Sequence, residues 1–452
     1  MVNTGRQYFL KPDIDIILEK GDIKAISQVF DELHPADIAE VIELTDDKHL
    51  GLIVDVLSPE ALKDVFEFLD EESEIKILSL LKRPQVREIL DEMPSDERAD
   101  LFEVMAEKDK KQYLPLMPKE DREDVLTLLS HPEESAGTIM STEYISVNPD
   151  NTVEEAMEIV RERASESAIV YYIYVVNKRG HLKGVLTLKD LFLAKKKQKI
   201  KAIMEDNVIS ARVDEDRERV ANLIKKYGFL ALPIVDDRKC LVGVVTVDDA
   251  MDVLTSEATE DIHKLGAIAP IERGYLKTNI FKSAWRRLVW LAFFLIVGTF
   301  TGSIIKSYDY VLASVMGLAY FIPMLSGTAG NAGSQTSTMV IRAIATGELR
   351  LSDTIIVVLR EMSIGVIIGI ILSVLAYARA IYWLSNPMIG VAVGLSIVAI
   401  VVTSTTFGAL IPLIIKAIHL DPAVISMPLI ATFMDVVSIF AYFEISRLVL
   451  GL

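Results

Sequence analysis

The chain has 452 residues, enough for about three domains at roughly 150 residues each. Its 51% hydrophobic and 25% charged residues, with a net charge of −17, average over two unlike parts. From Glu272 on there are 12 Lys/Arg and 8 Asp/Glu, whereas the preceding residues carry 35 basic and 56 acidic side chains, a balance of −21. This excludes an all-soluble enzyme and a disordered chain, and it argues against nucleic acid as a partner, because phosphate binding needs a positive surface.

The N-terminal Lys11-Pro12-Asp13 and Asp15 lack the basic-then-apolar layout of a secretory signal. The single cysteine, Cys240, has no partner for an intramolecular disulfide. Both features place the acidic part in a reducing cytosol. Helical patterns restart along 14–132 at His34-Pro35-Ala36-Asp37, Ser58-Pro59-Glu60, Met93-Pro94-Ser95-Asp96-Glu97 and Met117-Pro118. Proline lacks the N–H that a first turn leaves unused, and acids favour the positive end of the helix dipole. With apolar residues such as Val65, Phe66 and Leu69 between restarts, residues 1–132 are predicted to form an all-α helical-repeat N domain, regulatory rather than catalytic. No His pair there has metal-ligand spacing.

Residues 133–254 hold an internal repeat. Ile139-Met140 recurs as Ile203-Met204, and each copy is followed by a helical stretch (Val153–Val160, Val220–Ile224) and a strand pair ending in Gly184–Asp190 or Gly243–Asp249. This β-α-β-β-α order resembles a tandem CBS pair, an α/β module that senses nucleotides or ions. Lys189-Asp190 matches the position that contacts adenosine in some members, which implies ATP as a modulator. Cys240 lies in a predicted hairpin turn, Asp236–Leu241. Residues 255–283 are predicted to form an acidic connecting helix. Six acids from Asp248 to Asp261 are either a solvated face or cation ligands at the junction with the membrane.

Charge-free runs at Leu288–Ile305, Tyr310–Ile341, Met362–Ala378 and Ala380–Ile415, then the apolar 422–452, locate a transmembrane domain over 284–452. About 20 apolar residues cross a bilayer. Five spans are predicted near 284–305, 311–342, 354–379, 387–416 and 423–450, the longer ones requiring tilts or breaks. Arg273, Lys277, Lys282, Arg286 and Arg287 keep the N-terminal side cytoplasmic, so five spans leave the C-terminus outside. Gly298/Gly302, Gly365/Gly369 and Gly390/Gly394 have the spacing for close helix approach, within one chain or across a dimer. The segment from Pro323 to Thr336, with Gly327, Gly330, Asn331, Gly333 and Gln335, is expected to break or widen its helix. It would then line a pore or kink with internal hydrogen bonds. Asp435 lies near the middle of the last span, in a stretch with Ala431 and Thr432, where an ionised carboxylate costs about 2.5–3.5 kcal/mol and marks a functional path.

In this order the parts resemble the MgtE family of magnesium channels over nearly the whole chain. The motifs are Ala258–Ala267, Gly327-Thr-Ala-Gly330-Asn331-Ala-Gly333-Ser-Gln335 and Asp421–Leu429 with Thr432–Asp435. The resemblance implies a homodimer in the cell membrane, with Asp435 of each subunit binding the transported Mg²⁺ in a pore lined by Gly327, Gly330, Asn331, Ala431 and Thr432. It also implies closure by regulatory Mg²⁺ at Asp64, Asp96, Asp100, Glu218, Asp249, Asp252, Glu257, Glu260, Asp261 and Asp421. Other divalent cations are candidate cargo. Met427, Gly228, Ala329 and Ser334 depart from the family pattern. A carrier coupling Mg²⁺ to Na⁺ or H⁺ is the alternative, and a membrane-anchored sensor without transport is a third reading. No phosphate-loop motif for an ATP-driven pump is present.

Overall fold

Proline and acid residues start most helices of the N-terminal stretch. In the computed structural model these are α1 (Ile23–Phe30), α2 (Pro35–Glu43), α3 (Asp47–Val56), α4 (Pro59–Phe66), α5 (Glu71–Leu80), α6 (Arg83–Glu92), α7 (Ser95–Val104), α8 (Glu107–Tyr113) and α9 (Lys119–Leu128). The structure describes residues 14, 16–20, 23–164, 167, 169–269, 279–422 and 427–452. His34 caps α2 by accepting from the Ala36 N–H at 3.2 Å, and Ser58 and Asp70 cap α4 and α5 in the same way. The helices are too short to persist alone, and their apolar faces meet in one core around Ile53, Val65, Ile77, Leu90 and Phe102.

Two three-stranded sheets follow, as the repeat predicts. β1 (Tyr144–Val147) pairs parallel with β2 (Ile169–Val176), which pairs antiparallel with β3 (Leu182–Thr187); β4 (Ala211–Arg212), β5 (Ala231–Val235) and β6 (Leu241–Thr246) repeat the pattern. Helices α10 (Val153–Arg163), α11 (Leu188–Leu193) and α12 (Arg217–Tyr227) complete the two modules. Each repeat motif pairs with the other module. Ser141 exchanges backbone hydrogen bonds with Val244, and Glu205 with Val185. Neither half is closed without the other, which is why the repeat occurs as a pair. Cys240 sits in the turn between β5 and β6, its N–H on Asp236 Oδ1 at 2.7 Å, as the sequence predicts.

The N-terminal helices join the sheet modules through buried polar contacts. Arg98, 3% exposed, pairs with Asp121 at 3.1 Å and with Glu143 at 2.6 Å. Ser95 Oγ accepts from the Thr142 N–H at 2.9 Å.

The chain divides into Met1–Thr255 and Ser256–Leu452. The acidic connecting helix is the continuation of α13 (Val247–Leu265), which begins in the second sheet module; residues 270–278 of the expected helix lie outside the described residues. The second unit contains α14 (Ile280–Ser307), α15 (Asp309–Ser314), α16 (Ile322–Ala345), α17 (Thr354–Leu384), α18 (Pro387–Ala417) and α19 (Met427–Leu450). Residues 423–426, the start of the expected fifth span, lie outside the described residues.

Four of the described helices, α14, α17 (from Leu351), α18 and α19, are long and apolar enough to cross a membrane. The expected span 311–342 carries a break, as its length requires. It is not one helix: α15 is followed by a 3-10 turn, Met316–Phe321, before α16 begins with Pro323 in its first turn. The expected break at the glycine run is absent. α16 stays helical through Gly327, Gly330 and Gly333; the last two admit Ala431 of α19 and Ser404 of α18 closely, while Gly327 has open space beside it. A Cβ on Gly408 of α18 would stand 2.5 Å from the Gly333 carbonyl oxygen, so α16 and α18 touch backbone to backbone. Gly365 and Gly369 of α17 lie in the same way against the backbone of Val402 and Val398, and Gly390 of α18 makes room for the ring of Tyr377, all within the chain. Gly298 and Gly302 of α14 have open space beside them.

Candidate membrane and metal-sensing sites

In α19, Ile430, Met434, Ser438 and Tyr442 face the core, which turns Asp435 toward α16 and leaves it half-buried. Asp435 Oδ1 accepts from Ser326 Oγ of α16 at 2.5 Å. A hydroxyl donor holds one carboxylate oxygen and leaves the other available. Sequence reasoning missed Ser326, although it directly precedes Gly327 in the polar run. Gly327 and Asn331 are exposed, in line with Pro323 and Gln335 at four-residue spacing on one face of α16. Ala431 and Thr432 are half-buried, and Thr432 Oγ1 donates to the Pro428 carbonyl. Gly330 is buried, and a Cβ there would stand 3.2 Å from that of Ala431, so it packs α16 against α19. Two departures from the family pattern meet here, with Ser334 Oγ donating to the Met427 carbonyl at 3.2 Å. Glu361 accepts from Thr336 at 3.3 Å. Glu444 accepts from Tyr308 and pairs with Arg447 at 2.8 Å, which ties the ends of α14 and α19 together.

In the first unit the fold gathers acids from two sequence-distant helices, α7 and the start of α13. Asp96 is buried with no partner on Oδ1. Burial, followed by repulsion from Glu143 and Asp248, pushes its carboxyl up to about 6. Asp249 is pushed up to about 7 by burial and then by Asp96, although it caps its helix by accepting from Thr246. Glu97 rises to about 8, through burial and then Asp96 and Glu67, and Glu74 to about 9, through burial and then Glu97 and Glu71. Asp100 is exposed on its helix, yet its carboxyl is raised to about 8, by desolvation among the surrounding side chains and then by Asp96 and Glu71. Glu74 and Glu97 were not legible as site residues. The signal was there for Glu74, which shares a buried face with Ile77 and Leu78. Asp64 lines a cavity of about 240 Å³ with Glu60, Lys63, Glu67 and Glu97. Asp252 and Glu218 are exposed, and Glu218 stands apart on the first turn of α12 with Asn222. The absence of an acid at 228 has a backbone reason. Gly228 ends α12 at φ 67°, where a side chain would be strained.

In the second unit, Lys264 Nζ lies 2.8 Å from Glu260 Oε1 and 2.8 Å from Asp421 Oδ2. Burial and then Asp421 raise the carboxyl of neighbouring Asp261. The ammonium thus holds together acids that would otherwise repel. Glu257, one turn before Asp261, is partly exposed. Lys264 was not anticipated, though its spacing from Glu260 is that of a helical ion pair.

Among the described residues no three His, Cys, Asp or Glu side chains converge closely enough to enclose a metal ion. The orphaned Asp96 Oδ1 and the raised carboxyls around it nonetheless fit a divalent cation, which would replace protons as the neutralising charge. Because these folded-state carboxyls lie above their ordinary values, their stabilising contribution is present at low pH and is lost as pH rises toward about 9. The melting temperature of the metal-free protein is therefore expected to fall between pH 5.5 and 9, and the gain on adding Mg²⁺ to grow over that range. Thermal unfolding of the full chain with chelator or Mg²⁺ measures both; a pH-independent gain would contradict proton–metal exchange.

The Lys189-Asp190 pair lies at the start of α11. Lys189 is exposed, and Asp190 Oδ2 accepts from the Thr187 N–H at 2.9 Å and from its Oγ1 at 2.6 Å. Half of that carboxylate is thus spent on capping.

Family profiles match three stretches of the chain: a divalent cation transporter profile, MgtE, at 322–445; the MgtE intracellular N domain at 33–134; and the CBS domain at 136–197 and 200–256. The magnesium transporter MgtE of Thermus thermophilus is 41% identical over 323 residues, 72% of each chain. That of Bacillus subtilis is 37% identical over 71% of this chain and 70% of its own. A solved structure, the cytosolic domain of the Mg²⁺ channel MgtE in complex with ATP, is 34% identical with a TM-score of 0.50. It covers 54% of this chain and all of its own.

Proposed function

The chain belongs to the MgtE family of magnesium transporters, and we propose that it is a Mg²⁺-selective channel, closed by cytosolic Mg²⁺ bound to its acidic soluble parts. The observation that carries this reading is Asp435, an acid within a membrane-crossing helix, held by Ser326 with one oxygen available. Mg²⁺ dehydrates reluctantly and keeps several waters, so a site of few carboxylates and a polar wall suits it. The exposed line of Pro323, Gly327, Asn331 and Gln335 is costly against lipid. A second copy supplying the opposite wall, with its own Asp435, removes that cost and encloses a wet path. In this reading Thr432 and Ala431 flank the carboxylates.

Gating follows from charge. Without Mg²⁺, protons neutralise part of the charge around Asp96 and Asp249, and Lys264 part of that on Glu260 and Asp421. A dication binds the closed arrangement better and shifts the population toward it. Asp64, Asp100, Asp252, Glu257 and Asp261 add charge near these places, and Glu218 is assigned to regulation by resemblance alone. The N-terminus is assigned to the cytoplasm and the C-terminus to the outside. ATP at Lys189-Asp190 is assigned as a modulator, supported by the ATP complex of the similar cytosolic domain.

Purified protein in liposomes, with an imposed voltage, no Na⁺ and equal pH on both sides, tests the channel. Mg²⁺ influx is expected to follow voltage. Influx that needs a Na⁺ or H⁺ gradient would instead establish the coupled carrier.

A further inference from the structure

The acidic first unit contains one run of opposite sign. From Lys178 to Lys201 the sequence carries nine Lys or Arg and a single acid, Asp190, in a chain of net −17. The fold gathers part of this run around a cavity of about 450 Å³ in the first CBS module. One wall is the turn between β2 and β3, with Asn177, Lys178, Arg179 and His181, and the start of β3, with Lys183. The other is the loop after β1, with Asn148 and Asp150. The segment 196–201 runs beside that loop, with the Ile200 N–H on the Asn151 carbonyl and the Lys201 N–H on the Pro149 carbonyl, both at 3.0 Å. Lys199 and Lys201 are thereby brought to the rim.

Hydrogen bonding leaves the lining rich in donors. Asn177 Oδ1 accepts from the backbone N–H groups of Arg179 at 2.9 Å and His181 at 3.1 Å, and Asn148 Oδ1 from that of Asp150 at 3.1 Å. What each amide has left to offer is its NH₂. Asp150, the acid of the lining, pairs with Lys201 at 3.0 Å, and Lys199 donates to its carbonyl oxygen. Lys178, Arg179 and Lys183 are exposed and form no ion pair among the described residues.

Guanidinium, ammonium and amide donors around a concave surface, with their one acid already neutralised, match phosphate oxygens. A single phosphate would fill little of the cavity and meet few of its cations. We propose that this cavity binds a small molecule carrying two or more phosphate groups. The site is separate from Lys189-Asp190, which lies at the other end of β3. Linked phosphates are themselves Mg²⁺ chelators, so the protein would register the anions that compete for its cargo.

Titration of inorganic triphosphate into the full-length detergent-solubilised protein, in Mg²⁺-free buffer at fixed salt, tests the site. Wild type is expected to bind, and Lys178→Gln/Arg179→Gln/Lys183→Gln to bind at least tenfold more weakly. Lys189→Gln/Asp190→Asn is expected to match wild type. The three basic side chains are exposed, so an unchanged melting temperature is expected; Lys178→Glu alone is the second variant and should weaken binding in the same direction. No binding by wild type, or an equal loss in the Lys189/Asp190 variant, would overturn the proposal. Repeating the titration in lipid nanodiscs separates the two sources of phosphate. Equal binding in phosphatidylglycerol and phosphatidylcholine assigns the cavity to a soluble anion; suppression by phosphatidylglycerol, whose headgroup carries one phosphate, would assign it to a lipid and overturn the proposal.

Discussion

Asp435→Ala is expected to abolish voltage-driven Mg²⁺ influx in proteoliposomes, to below about one-hundredth of the wild-type rate. The carboxylate is tolerated inside a membrane-crossing helix at a cost of about 2.5–3.5 kcal/mol, and such a residue persists where it faces a partner or a wet path. Loss of an ion–carboxylate contact of about that size corresponds to roughly a hundredfold in occupancy, at 1.4 kcal/mol per tenfold. Asp435→Asn keeps the shape and the Ser326 hydrogen bond and is expected to lose flux as well, which separates charge from packing. Ser326→Ala removes only a positioning donor and is expected to reduce flux more mildly. Full flux through a folded Asp435→Ala protein would sink the proposed ion path.

The second large effect concerns closure. Glu260→Gln/Asp261→Asn/Asp421→Asn is expected to conduct normally, while the cytosolic Mg²⁺ needed for half-closure rises about tenfold or more. Lys264→Gln should shift it the opposite way. Without the ammonium at 2.8 Å from both Glu260 and Asp421, these acids and Asp261 have only a dication to neutralise them, and closure should come at lower Mg²⁺. Patch recordings with Mg²⁺ varied on the cytosolic face give both values. Shifts of the same sign, or no shift in the triple variant, would remove these residues from the sensing role.

Much of the architecture was legible because local signals agreed. Pro-acid starts placed the short helices α2, α4 and α7, and the 64-residue recurrence of Ile139-Met140 announced two equivalent sheet modules. Long apolar runs located α14, α17 and α18. The break in the expected second span was misplaced because a glycine carries two opposite meanings. In isolation Gly330 and Gly333 weaken a helix; packed against Ala431 of α19 and against Ser404 and Gly408 of α18, they are what lets α16 approach its neighbours. Which neighbour Gly330 meets was not legible: the side of α16 on which it falls packs on Ala431 of α19.

The sequence by itself determined the division of labour: an acidic soluble part, an apolar part, and one carboxylate, Asp435, where hydrocarbon permits none without a purpose. Hydropathy and charge act residue by residue, so they can be read without knowing which residues meet. Tertiary structure alone decided the pairings: Ser326 on Asp435, Lys264 between Glu260 and Asp421, and Asp249 beside Asp96 across about 150 residues of chain. Those pairings depend on how short helices and sheets stack, which is a property of the packed core. The same packing decides which acids hold protons and which are available to a metal ion.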